Sequence, residues 1–176
     1  CVYGGTASGV MAAVAAHQEG SKVILVEPTR SLGGMTGGGI NHLDWGKGET
    51  VGGSTYKILM EGLKDQKRAH GGHAKHGIGN KQYRERFKKL VKDRGITVIY
   101  DHRVGKVQVG DETFDKPTRQ QPIAMGEKIA SKNKINSIQS IILDYAPVDE
   151  TGCPIPEPKK RNVITVSAKV FIDCSY

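Results

Sequence analysis

Three cysteines in 176 residues, Cys1, Cys153 and Cys174, show no metal-ligand spacing, and their odd number argues against a disulfide framework. No CxxC pair is present, which leaves a reactive-thiol chemistry without its partner. No apolar run approaches the roughly 20 residues of a membrane-spanning helix, and neither a signal peptide nor an internal repeat is visible. The chain also lacks an initiator Met, opening on the short apolar run Cys1-Val2-Tyr3, and residues 170–176 read as a strand that stops where a loop should begin. A fragment of a longer protein is therefore expected, with the compartment left open.

What is present is ordinary in bulk and unusual in one respect. Hydrophobic residues make up 37% and charged residues 25%, as in soluble globular proteins. Glycine, with 23 residues, is nearly twice its usual share of about 7% and crowds into the first eighty positions. Between hydrophobic runs, such glycines signal tight turns and close approach of backbone to a ligand. The net charge of +8 is spread through amphipathic stretches such as residues 81–92, which reads as a solvated helix face rather than a nucleic-acid surface. No nucleic-acid partner is expected.

Residues 1–5 predict a strand running into a glycine turn, and residues 8–19 a helix of small residues ended by Gly20. Residues 22–27, continuous in apolar and β-branched side chains, predict a buried parallel strand. Together they form a βαβ unit. Residues 30–53 read as a glycine-rich loop, 54–68 as a helix with Tyr56, Leu59, Met60 and Leu63 on one face, and 70–80 as a polar loop. A second helix-then-strand passage covers 83–94, closed by Gly95, and 96–100. Strand-like alternation at 103–109, 135–145 and 162–172, between turn-rich segments at Pro117, Pro122 and Pro154 to Pro158, predicts a small antiparallel sheet inserted before the last parallel strand.

The chemistry is carried by Gly4-Gly5-Thr6-Ala7-Ser8-Gly9, between a strand and a helix. Gly4, Thr6 and Gly9 hold the three marked positions of G-x-G-x-x-G, with Thr6 in place of the second glycine. Gly4 permits the turn, Gly9 lets helix pack on strand, and backbone amides at the helix start point at a pyrophosphate, where the helix dipole favours negative charge. Glu27 ends the second strand, 23 residues after Gly4. A carboxylate there accepts hydrogen bonds from a ribose 2′-hydroxyl and disfavours a 2′-phosphate. These residues specify a dinucleotide without choosing between FAD and NAD.

The next segment chooses. Arg30-Ser31-Leu32-Gly33-Gly34-Met35-Thr36, followed by Gly37-Gly38-Gly39, completes a run that resembles the FAD-dependent oxidoreductase family, related to the glutathione-reductase-like flavoproteins. GGT-x-x-G is that family's usual first loop. The resemblance implies an extended FAD, with residues 4–9 and Gly33, Gly34 and Met35 along its pyrophosphate and ribityl chain. It places Glu27-Pro28, Arg30 and Thr36 at the same site, and the backbone of Val104 at the adenine. Softer likeness runs through Leu43-Asp44-Trp45-Gly46, Gly52-Gly53, residues 96–100 and the terminal residues 168–176.

Other candidates are weighed against plainer roles. His42 follows the glycine loop and could face flavin or substrate, but a hydrogen-bonded loop histidine explains it as well. His70, His73 and His76 belong to no zinc pattern, so no metal is expected. Asp44 and Trp45 could line a substrate pocket or simply pack. Cys174, inside an apolar strand, reads as a small buried hydrophobe.

The expectation is thus a single three-layer α/β Rossmann-type FAD/NAD(P)-binding domain over residues 1–176, with a small antiparallel insertion at about 104–165. Its activity would be FAD-dependent hydride transfer from a small organic substrate, with no catalytic acid or base identified. An NAD-binding dehydrogenase and a non-catalytic nucleotide-binding module are the alternatives. The Gly33-Gly34 loop weighs against the first of these.

Overall fold

The computed structural model describes residues 1–38, 52–54, 58, 80–115 and 137–175. The predicted helix 54–68, the loop 70–80 short of Asn80, and His42, Asp44, Trp45, His70, His73, His76, Pro117 and Pro122 lie largely or wholly outside these residues.

Among them the chain runs β1 (Val2–Tyr3), α1 (Ala7–Gln18), β2 (Ile24–Glu27), α2 (Gly34–Gly38), α3 (Asn80–Asp93), β3 (Thr97–Tyr100), β4 (His102–Val109), β5 (Glu112–Asp115), β6 (Ile138–Tyr145), β7 (Lys160–Ser167) and β8 (Ile172–Asp173). One sheet is parallel, in the order β3-β2-β1-β8, and the other is antiparallel, in the order β5-β4-β6-β7.

Alternation along the parallel strands builds three layers. Val2 and Leu25 turn to one face and pack with Val10, Ala13 and Val14 of α1 and Phe87 and Val91 of α3. Tyr3, Ile24 and Val26 turn to the other face and meet Ile141, Leu143 and Val166 of the antiparallel sheet. The fold is therefore Rossmann-type α/β, and its third layer is supplied by the antiparallel sheet. Helix α3 ends as its glycine predicts: Gly95 has φ +62°, and the amides of Gly95 and Ile96 donate back to the carbonyls of Lys92 and Val91. Its polar face carries Lys88–Glu85 and Lys89–Asp93 pairs at 3.3 and 2.6 Å, as a solvated face should.

Four expectations change. The stretch 162–172 is not one strand, because β7 ends at Ser167 in the antiparallel sheet and β8 begins at Ile172 in the parallel one; alternation reports a strand but not which sheet receives it. The antiparallel sheet starts at His102 and ends at Ser167, slightly wider than 104–165. Strand β5, mostly exposed, has too little apolar patterning to read as a strand, although Gly110 (φ +60°) and Asp111 make the two-residue turn that could have announced it. Within the glycine-rich loop, Gly34–Gly38 forms a helical turn, held by the Gly37 amide on the Gly33 carbonyl at 3.1 Å and by Arg84 Nε on the Gly37 carbonyl at 2.9 Å.

Candidate functional site

Strand β1 has β2 and β3 on one side and β8 on the other, so the chain reverses its direction of winding between β1 and β8. In open α/β sheets such a switch point opens a ligand crevice beyond the carboxyl ends of the strands. Residues 4–9 follow β1 there, Cys174 and Ser175 follow β8, Glu27 ends β2 and Asp101 follows β3.

The first loop is closed so tightly that two of its glycines have no room for a side chain. A Cβ on Gly4, at φ +93°, would lie 2.7 Å from the Ser175 amide nitrogen, and one on Gly9 would collide with the Gly4 carbonyl oxygen. Thr6 caps α1: its Oγ1 accepts from the Gly9 amide at 3.1 Å and donates to the Cys174 carbonyl at 2.9 Å. A side chain replacing the motif's second glycine is therefore turned to the helix cap and β8. The Gly9 amide is thereby taken and the Ala7 amide faces the Gly33 carbonyl in the bridge between the two loops, whereas the amides of Thr6 and Ser8 have no acceptor among the described residues. Two such donors at the positive end of a 12-residue helix with no acidic residue in its first turn fit a pyrophosphate.

Glu27 is buried at 7% exposure. Its Oε2 accepts from the Gly5 amide at 2.6 Å, and its Oε1 from the Thr29 amide and hydroxyl at 2.7 and 2.6 Å. The carboxylate that spacing assigns to a ribose also braces the first loop from below. A carboxylate offers about four lone-pair positions, so capacity for a further donor remains beside these three.

Burial holds the phenols of Tyr3 and Tyr100 above the ordinary value of 10.0, with the charge of Glu27 adding to the shift; at Tyr3 the Val104 amide partly offsets it. The folded state thus keeps both protons at a pH where the unfolded chain releases them. Their contribution to stability is complete below about pH 10 and is lost as pH rises through the raised values. Urea midpoints measured at about pH 8 and about pH 11 should fall at the higher pH, and less steeply in Tyr3→Phe; equal slopes would contradict this assignment.

The second glycine loop lies directly on the first. The Gly33 amide donates to the Gly5 carbonyl at 2.7 Å, and Thr6 and Gly33 form a parallel bridge. Gly33, at φ +98°, is pressed against the Phe87 ring of α3. Gly34 and Thr36 are half-buried, and Met35 is exposed. Pro28 is half-buried beside Glu27, and Arg30 Nε reaches both carboxylate oxygens of Asp101 at 3.0 and 2.9 Å.

Val104 sits within β4, its amide directed to the Tyr3 hydroxyl at 3.5 Å. Cys174 is half-buried behind Gly9, and its carbonyl holds Thr6. Sequence reasoning missed Asp101, Phe87 and Arg84. No spacing signal ties them to the glycine loops, because each arrives from an element distant in the chain. A cavity of about 570 Å³ opens at the amino ends of the strands, between Ser21, Lys22 and residues 167–170. It lies at the opposite end from the glycine loops and brings no acid–base pair together.

A parallel sheet with a switch point and two interlocked glycine loops at its carboxyl edge defines a dinucleotide-binding α/β protein. A family model described as FAD dependent oxidoreductase matches residues 1–133, and the chain belongs to that family, whose cofactor is FAD. Among solved structures, THI4 from Thermovibrio ammonificans is similar, with a TM-score of 0.50 and 15% identity over 98% of this chain and 55% of that one. At that identity the likeness concerns the fold. The chain thus spans about half the length of this neighbour. A comparison with curated proteins gave no match.

Proposed function

We propose that this chain is the cofactor-holding part of an FAD-dependent oxidoreductase that oxidises a small organic substrate by hydride transfer. The observation that carries the reading is the contact between the two glycine loops. Gly33 on Gly5 sets the second loop beside the amides at the start of α1, of which those of Thr6 and Ser8 lack an acceptor among the described residues. A pyrophosphate on those amides then continues past Gly33, Gly34 and Met35, as an extended FAD requires. Thr6 and Ser8 would bind the phosphates through their backbone, Glu27 the adenosine ribose, and Val104 would border the adenine.

FAD supplies the redox chemistry when bound, and the protein's part is to position it and shape its electrostatics. Here the residues of the chain act on the ADP half. No helix among the described residues is long and apolar enough to cross a membrane.

The visible spectrum of the purified full-length gene product tests the proposal. The two-banded absorption of an oxidised flavin, bleached by dithionite, is expected. A colourless protein that also fails to take up added FAD would sink it, and uptake of NAD in place of FAD would favour an ordinary dehydrogenase.

A further inference from the structure

Asp101 is used by nothing described so far, yet its geometry is unusual. It follows β3, whose Tyr100 is in register with Glu27 of β2, so Glu27 and Asp101 share the carboxyl edge of two adjacent strands. Its backbone is left-handed at φ +61°, a conformation uncommon outside glycine and most tolerated by Asn and Asp. Two backbone bonds hold it there: its carbonyl accepts from the Ala146 amide at 2.8 Å, and its amide donates to the Thr29 carbonyl at 3.4 Å.

The residue is 9% exposed, and both carboxylate oxygens accept from Nε of Arg30. The Arg30 side chain is 63% exposed. Its two terminal nitrogens have no partner among the described residues. The guanidinium is thus pinned by its inner nitrogen, three residues beyond Glu27, with its outer donors uncommitted.

An arginine beside the ribose carboxylate is the usual means by which a dinucleotide site accepts a 2′-phosphate. Here that cation is paired. Asp101 offsets the charge of Arg30 and holds it by Nε, so the arginine is not delivered as an unpaired cation to a 2′-phosphate, while its outer nitrogens remain able to donate to uncharged oxygens or to cover the adenine. Resting on the dinucleotide reading of the site, we propose that Asp101 is a positioning residue for Arg30. The pair makes the adenosine end selective for a ribose without a 2′-phosphate.

The probes are ADP and 2′-phosphoadenosine 5′-diphosphate, which differ only by the 2′-phosphate, titrated calorimetrically into the full-length gene product. The wild type should bind ADP the more tightly. Asp101→Asn keeps the size and the left-handed backbone while removing the charge, and should narrow the preference for ADP by about tenfold. In an Arg30→Ala background the same substitution should change the ratio far less, since Asp101 acts through the arginine; a merely structural role would not show this dependence.

An unchanged ratio in Asp101→Asn, or an equal change with and without Arg30, overturns the inference. If Asp101→Asn fails to fold by circular dichroism, Arg30→Ala alone decides, since it changes an exposed side chain. Weaker binding of ADP is then expected, and unaltered binding overturns the proposal. Wild-type protein that binds ADP but not FAD would refute the flavin assignment while leaving the ratio test intact, whereas binding of neither removes both.

Discussion

Gly9→Ala is expected to lose bound FAD and to unfold at markedly lower urea than the wild type. The cause is local and steric. A Cβ at Gly9 would collide with the carbonyl oxygen of Gly4 and come within 3.1 Å of the Cys174 Cβ. The first of these obstacles is backbone, held by the bond from the Gly4 amide to the Val26 carbonyl at 2.8 Å, so it cannot rotate away as a side-chain tip would. The start of α1 must lift off β1. Overpacking of this kind costs about 1–3 kcal/mol and occasionally more, and a loss of about 3 kcal/mol lowers Tm by on the order of 6–12 °C in a chain of this size.

Because the same movement carries the amides of Thr6 and Ser8 away from the phosphates, FAD content per chain should fall together with the midpoint. Gly52→Ala is the matched control, since a Cβ there meets nothing within 4 Å. A Gly9→Ala protein with wild-type flavin content and midpoint would show that the close approach of α1 to β1 does not matter.

Glu27→Gln should be nearly as damaging as Glu27→Ala, although it preserves size and shape. Glu27 accepts three hydrogen bonds from the chain and donates none, which an ionised carboxylate does naturally. A glutamine keeps one accepting oxygen and sets an NH₂ group against the amide of either Gly5 or Thr29. A buried donor left without an acceptor costs about 1–3 kcal/mol. The Gly5 amide is such a donor, and it lies in the loop on which Gly33 rests.

Both variants should therefore lower stability by about 1–3 kcal/mol. Both should also weaken FAD by roughly tenfold to a hundredfold, measured by fluorescence titration of the apoprotein. Wild-type affinity in Glu27→Gln would mean that the carboxylate neither braces the loop nor binds the ribose.

These two residues also mark how far the sequence could be read. Gly4, Gly9 and Glu27 were legible because a βαβ unit is local: strand, turn, helix and strand follow one another, and spacing alone sets a glycine at each tight turn and an acid at the second strand's end. The resemblance of residues 30–39 to flavoproteins added the second loop, and the family match over residues 1–133 agrees with it. Alternation likewise revealed most strands of the antiparallel sheet. It could not show that β7 and β8 belong to different sheets, because a period of two is the same in either.

The support of the site was not legible. Phe87 packs on Gly33 from a helix some fifty residues later, and Asp101 grips Arg30 across 71 residues. Thr6, a defect when judged against the glycine motif, became a helix cap and a tie to β8 once Cys174 stood beside it. The sequence by itself determined the dinucleotide unit, since its chemistry lies in short-range order along one turn and two strands. Only the tertiary structure decided what holds that unit in place, because those partners meet through strand pairing and burial, which bring distant segments together without leaving any fixed spacing behind.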